Sequence, residues 1–183
     1  MAFTSTEIIA QTVKWINDVV IGCNFCPFAA RAVKQQTIHY QVEDSAATAV
    51  CLTAFTTEMA RLDADATIET VFLIFPYHFQ QFKEYLIFLA QAEAVLQQKG
   101  YEGIYQVASF HPLYLFAGTQ NSDAANYTNR SMYPMLHLLR ESSIDKALEQ
   151  YARPGDIPVR NIDFARNKGL LYMQLLKDAC LKA

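Results

Sequence analysis

The sequence predicts an α/β domain with a small, mostly parallel sheet of about three strands and helices on both faces, plus N- and C-terminal helices. Stretches rich in β-branched and aromatic residues alternate with amphipathic stretches that are long enough for helices. The stretch 68–75 contains a continuous apolar run, which is typical of a strand covered on both faces. Together these observations favour parallel strands joined by helices.

Composition limits the class of protein. The 183 residues are 52% hydrophobic and 18% charged, which predicts one folded domain spanning residues 1–183. The net charge is −3 and the basic residues form no long stripe, so nucleic acid is not expected as a partner. No signal-peptide pattern and no apolar run of membrane-spanning length are seen, so we expect a cytoplasmic protein without a membrane partner. The four cysteines are then expected to be reduced.

The predicted elements follow in order from caps, spacing and breaks. Thr4 and Glu7 form a capping box for a first helix whose apolar stripe runs to Val20. Proline is favoured at the first helical position, so a second helix is predicted over 27–34 with Cys26 as its N-cap.

The remaining elements complete the predicted alternation. Strands are predicted at 37–42, 68–75 and 104–110, and helices at 46–62, 79–98, 131–151 and 160–182. Ser131 is the expected N-cap of the third of these helices, and Gly169 is a weak point in the last. The stretch 113–130 has no clear period, which is typical of a binding loop or a lid.

If the strands are parallel, their carboxyl ends share one edge of the sheet, where α/β proteins bind ligands. The residues expected at this edge are Cys26, Glu43, Asp44, His78, His111, Arg130, Ser131 and His137. The expectation depends on the parallel assignment, because an antiparallel strand would scatter the set.

The predicted catalytic residues are Cys26, His111, His137 and Glu141. A thiol at a helix N-terminus has a lowered pKa and can act as a nucleophile, with either histidine as its base. Glu141 lies on the same predicted helix face as His137, so it would orient that histidine or hold an arginine. The alternative for Cys26 is a small buried apolar residue.

The predicted substrate-binding residues are Asn129, Arg130, Ser131, Tyr133 and Arg140. The two arginines could clamp a carboxylate or a phosphate through paired N–H donors, so a small anionic molecule is the expected partner. The alternative for Arg140 is a surface ion pair with its neighbour, which would contribute little to stability.

Several motifs together resemble the domain-of-unknown-function 1415 family, in order over nearly the whole chain. They are VIGCNFCPFA at 20–29, QVASFHP at 106–112, NYTNRS at 126–131, Tyr133-Pro134, HLLRE at 137–141, Ile157-Pro158 and Arg160-Asn161. The family pattern has leucine at the positions of Cys23 and Phe25 and proline at that of Met132. The departure at Cys23 makes Cys26 the thiol that matches the motif. The resemblance implies no reaction.

The leading hypothesis is an enzyme that acts on a small anionic metabolite through a Cys/His/Arg site. The alternatives are a non-catalytic ligand-binding or regulatory module, a metal-binding protein with Cys and His ligands, and an interaction scaffold. Whether the chain is an enzyme, whether it holds a metal and which cofactor it uses are left open by the sequence.

Overall fold

The computed structural model describes residues 3–149, 151 and 153–183, and these form a mixed α/β fold. Its sheet has four strands in the order β1-β2-β4-β3. The strands are β1 (Ile38–Val42), β2 (Thr70–Ile74), β3 (Tyr105–Phe110) and β4 (Met135–Arg140). β1 pairs in parallel with β2, whereas β4 is antiparallel to both of its neighbours, β2 and β3. β1, β2 and β3 therefore run in the same direction, but β4 separates β3 from the other two.

Helices lie on both faces of this sheet. The α-helices are α1 (Ser5–Trp15), α2 (Ala29–Gln35), α3 (Thr48–Ala64), α4 (Phe82–Gln98), α5 (Glu141–Leu148), α6 (Ile157–Lys168) and α7 (Leu170–Asp178). α1 begins at the predicted capping box of Thr4 and Glu7 and continues as the π-helical stretch Ile16–Ile21. The predicted last helix is interrupted at Gly169, whose φ of 85° ends α6 before α7 begins.

The predicted helix over 131–151 is wrong in its first half. Pro134 lies outside a helix, Met135–Arg140 forms β4, and only Glu141–Leu148 is helical. β4 is covered on both faces and paired on both sides, and four of its six residues are apolar. Such a run fits a helical period as well as a strand, and only the pairing partners decide between the two.

Each face of the sheet has its own core. Val71 and Leu73 of β2 pack against α3 and α4. Phe72 and Ile74, which alternate with them along the strand, pack against the side that carries Trp15 of α1. The direction of a side chain in β2 or β4 therefore decides which of two separate environments it enters.

The strand register also defines the two ends of the sheet. Val42, Ile74, Phe110 and Met135 align at one end of the sheet, where β1, β2 and β3 finish and β4 starts. Arg140 pairs with Tyr105 at the other end. In the part of the chain that the structure describes, no helix is long and apolar enough to cross a membrane.

Candidate functional site

A cavity lies between the sheet and the helices α1, α2 and α5, and we call it the Cys26–His137 cavity. Its free volume is about 70 Å³, room for several groups of the size of a water molecule. Side chains that border it include Trp15, Cys26, Ile38, Thr70, Phe72, Phe110 and His137. Apolar atoms form most of this lining, so the polar atoms of Cys26, Thr70 and His137 stand out within it.

His137 is held in one orientation by two neighbours on β2. Its ring stacks on Phe72 with the centroids 3.8 Å apart and the planes at 10°. Its Nε2 lies 2.5 Å from Oγ1 of Thr70, and that hydroxyl donates its own proton to the carbonyl oxygen of Leu138 at 2.6 Å. The Thr70 oxygen must therefore accept from Nε2–H of His137, which leaves Nδ1 with a lone pair. Among the described residues, Nδ1 has no hydrogen-bond donor.

His137 is neutral at physiological pH. Protein surrounds the ring, and this burial lowers the pKa of His137 to about 3 because the imidazolium form would lose its hydration. The side chain still keeps some accessible surface, because it borders the cavity. The cavity thus presents a neutral hydrogen-bond acceptor.

Cys26 borders the same cavity from the segment that precedes α2. That helix begins at Ala29 with Phe28 as its N-cap, so the predicted N-cap role of Cys26 is wrong. The backbone N–H groups of Phe28 and Ala29 favour the thiolate and lower the thiol pKa. Burial outweighs them and raises the pKa of Cys26 above its ordinary value, so the predicted lowering of the pKa is also wrong.

A second, outer cavity adjoins the first. Its volume is about 270 Å³, and Cys26, Phe110 and Val20 border both cavities. Asn129 and Asn161 add amide groups to the outer one. Cys26 therefore borders both an apolar cavity and a larger neighbouring cavity that carries amides.

His111 does not join Cys26. It is fully buried and packs against Tyr85 and Phe82 of α4, on the opposite face of the sheet. Nε2 donates to the carbonyl oxygen of Phe79 at 2.8 Å, and Nδ1 accepts the N–H of Leu113 at 2.9 Å. Both ring nitrogens are thus used by the backbone, so His111 holds a turn and its predicted role as a base is not supported.

Arg140 and Glu141 lie at the other end of the sheet from the predicted edge, although Arg140 also borders the Cys26–His137 cavity. The Arg140 guanidinium donates to the carbonyl oxygens of Leu62, Asp65 (3.1 Å) and Ile68 (2.9 Å), and so closes the end of α3. Glu141 starts α5, and Thr70 rather than Glu141 orients His137. The two residues act in the fold here, and the predicted clamp with Arg130 does not form.

The other predicted binding residues make hydrogen bonds within the protein. Asn129 donates to the carbonyl oxygen of Ser109 at 3.1 Å, Ser131 donates to that of Tyr133 at 2.6 Å, and the Tyr133 hydroxyl donates to Gln11. Arg130 is only 6% exposed. The indole N–H of Trp15 donates to the Arg130 carbonyl oxygen at 3.1 Å, which ties this segment to α1.

A comparison with models of protein families shows which family the chain belongs to. The model of the family described as protein of unknown function (DUF1415) matches residues 7–174. The chain belongs to this family. The resemblance predicted from the motifs is thereby confirmed. The chain matches no curated protein and no solved structure.

The matched region of this DUF1415 member contains every residue of the predicted site and of both cavities. Glu43, Asp44 and His78 do not border either cavity. Glu43 accepts the N–H of Ser45 at 2.8 Å, and His78 lies 3.2 Å from the Thr48 hydroxyl. In the described ranges, no group of three or more His, Cys, Asp or Glu side chains is arranged to hold a metal ion.

Sequence reasoning missed Thr70. It lies inside a strand predicted as an apolar run, and its hydroxyl fixes the tautomer of His137. A single polar residue in a buried strand is itself a signal, because such a group must find a hydrogen-bond partner.

Proposed function

We propose that this protein binds a small, neutral, largely apolar molecule in the Cys26–His137 cavity, through one hydrogen bond to Nδ1 of His137. The observation that carries the proposal is a neutral imidazole, fixed by Thr70, that borders an apolar cavity and keeps a lone pair on Nδ1. Apolar cavities with a few oriented polar groups are typical ligand sites.

The charges around the cavity support a neutral ligand. Arg31 borders it but pairs with Glu69 at 2.7 Å. The Arg140 guanidinium is engaged with the end of α3. A carboxylate or phosphate in this cavity would lose its hydration, and the described residues around it offer no free cation to offset the loss, which is costly. The anionic ligand expected from the sequence therefore does not suit this cavity.

The hydrogen bond supplies the specificity of the proposed binding. A ligand with a hydroxyl or N–H group at the right place satisfies Nδ1, and an isosteric ligand without that donor leaves it unpaired. A hydrogen bond of this kind typically contributes about 1 kcal/mol, which corresponds to roughly a fivefold difference in affinity.

Ethanol and fluoroethane make a matched pair of probes, because they differ in little besides the hydroxyl and are small enough for a cavity of about 70 Å³. We expect wild-type protein to bind ethanol more tightly, and the ¹⁵N resonance of Nδ1 of His137 to shift on ethanol binding while the Nε2 resonance changes little. In His137→Phe an aromatic ring is kept and the acceptor is removed, so the preference for ethanol should disappear. Cys26→Ser is the control, since it changes another polar atom of the cavity. Equal binding of both probes by the wild type would refute the proposed hydrogen bond.

Catalysis by Cys26 is a second candidate function. The observation that favours it is that Cys26 and His137 border one cavity, since a thiol and a neutral imidazole are a possible nucleophile and base. Both groups are neutral because burial raises the pKa of Cys26 and lowers that of His137. Transfer of the thiol proton to Nδ1 would need a ligand that stabilises the resulting ions.

Alkylation of Cys26 by chloroacetamide tests this candidate. The sulfur forms a bond to the methylene carbon, chloride leaves, and the base takes the thiol proton. If His137 is that base, His137→Phe should slow the reaction at Cys26 at least tenfold, as followed by mass spectrometry of the intact protein. Cys26→Ser reports the background from the three buried cysteines. An unchanged rate in His137→Phe would reject catalysis by this pair.

A further inference from the structure

A second site is suggested by a surface depression that the proposed function does not use, and we call it the Arg130 depression. It lies where the 3₁₀ helix Ala124–Thr128 meets the junction of α6 and α7. Its lining consists of Gln120, Asn121, Ser122, Tyr127, Arg130, Leu170 and Gln174. The surface of this lining is mostly polar, unlike that of the Cys26–His137 cavity.

Arg130 brings a buried positive charge to the depression. The residue is 6% exposed, yet none of the ion pairs among the described residues includes it. Asp123, an acidic neighbour in sequence, is occupied by Arg166 through bonds of 2.8 and 3.1 Å. Buried charges in proteins are normally paired or bound to a ligand of opposite charge, because desolvation penalises a lone ion.

The hydrogen bonds of Arg130 leave one nitrogen available. Nε donates to the Tyr114 carbonyl oxygen at 3.0 Å, and Nη2 donates to the backbone and side-chain oxygens of Asn121. The guanidinium carbon lies 4.8 Å from the centre of the Tyr127 ring. These contacts hold the guanidinium in place, and within the described residues Nη1 has no acceptor. Nη1 is not one of the buried side-chain atoms that lack a partner, so its two N–H groups reach the surface of the depression as the free donors of a fixed cation.

We propose that the Arg130 depression binds a small oxyanion, a carboxylate or a phosphate group, through Nη1 of Arg130. The exposed Ser122 hydroxyl and the amides of Gln120 and Gln174 border the same depression, so they can add N–H and O–H donors. A guanidinium that is already fixed loses little conformational freedom when it binds an oxyanion, and charge-assisted hydrogen bonds are stronger than neutral ones. This site is separate from the Cys26–His137 cavity and does not depend on the function proposed for it.

The test uses calorimetric titration of the full chain with inorganic phosphate and with acetate at constant ionic strength. Because Arg130 holds the loop around it, substitution of Arg130 risks unfolding that loop. Gln174→Glu is the better variant, since Gln174 is exposed and a carboxylate there would occupy Nη1 from within the chain. We expect it to weaken the binding of the preferred anion at least tenfold.

Gln98→Glu is the matched control, because it makes the same charge change at an exposed site at the end of α4. It should leave the affinity within twofold of the wild type. Tighter binding of phosphate or of acetate by the wild type identifies the oxyanion class. Equal weakening by Gln98→Glu and Gln174→Glu, equal affinity in Gln174→Glu and wild type, or no binding of either anion by the wild type would overturn the proposal.

Discussion

Acidification should destabilise this protein through His137. The imidazole is neutral in the folded state because burial lowers its pKa from 6.5 to about 3. In the unfolded chain the imidazole recovers its ordinary pKa. Between about pH 3 and pH 6.5, the unfolded state therefore binds a proton at this histidine and the folded state does not. The stabilising contribution of the neutral ring is therefore complete above pH 6.5 and is lost as the pH falls toward 3.

The magnitude follows from the same two values. At pH 5, about 1.5 pH units below the ordinary histidine value, the unfolded imidazole is almost fully protonated and the folded one is not. Each pH unit in this window is worth about 1.36 kcal/mol, so the free energy of unfolding should fall by about 2 kcal/mol between pH 7.5 and pH 5. Burial also lowers the pKa of His39 and His111, so the loss in the wild type should exceed this contribution.

Urea denaturation at pH 7.5 and pH 5 isolates the part due to His137. His137→Gln keeps an N–H donor for Thr70 and removes the titrating group, so its loss should be about 2 kcal/mol smaller than that of the wild type. His78→Gln removes a histidine that borders neither cavity and serves as the control for histidine replacement. An equal pH dependence in the wild type and in His137→Gln would refute the reasoning.

Three further outcomes are expected. Gly22→Ala should lower the free energy of unfolding by about 1–3 kcal/mol in urea denaturation, because its Cβ would press against the carbonyl oxygen of Asp18; an unchanged midpoint would contradict this. Alkylation of Cys26 by iodoacetamide should be slow at pH 7 and keep accelerating above pH 9, since burial raises the thiol pKa; a plateau below pH 8 in the mass-spectrometric rates would show the opposite. Trp15→Phe should cost about 1–3 kcal/mol, because it leaves the Arg130 carbonyl oxygen without the indole donor; a stability equal to that of the wild type would count against this hydrogen bond.

The sequence predicts the elements whose signals are local. The capping box of Thr4 and Glu7 starts α1, and the strands β1 to β3 and the helices α3 and α4 lie within a few residues of their predicted bounds. The break at Gly169 is confirmed as well. These features depend on the chemistry of neighbouring residues, so a single chain is enough to find them.

β4 depends on contacts that are remote in the sequence. Residues 135–140 become a strand because β2 and β3, far away along the chain, offer two open edges that pair with it. The parallel direction of β1 to β3 follows from the alternation of strands and helices, but the insertion of β4 does not. The sequence-based prediction placed Cys26 and His137 together because it assumed a parallel sheet with His137 on a helix. In the structure both residues border one cavity, but His137 lies on an antiparallel strand.

Seven of the nine predicted catalytic and binding residues lie in the stretch 126–141, and the structure explains why they do not form one site. Arg130 lies five residues before β4 and Arg140 ends it. The Arg130 guanidinium donates to Tyr114 and Asn121, whereas the Arg140 guanidinium donates to the end of α3, so the two groups are engaged with separate parts of the chain. His137, between them, faces an apolar cavity in which a charged ligand is disfavoured. The same stretch therefore serves two environments, a neutral one around His137 and a cationic one at Arg130, and the two proposed ligands differ in charge because these environments do.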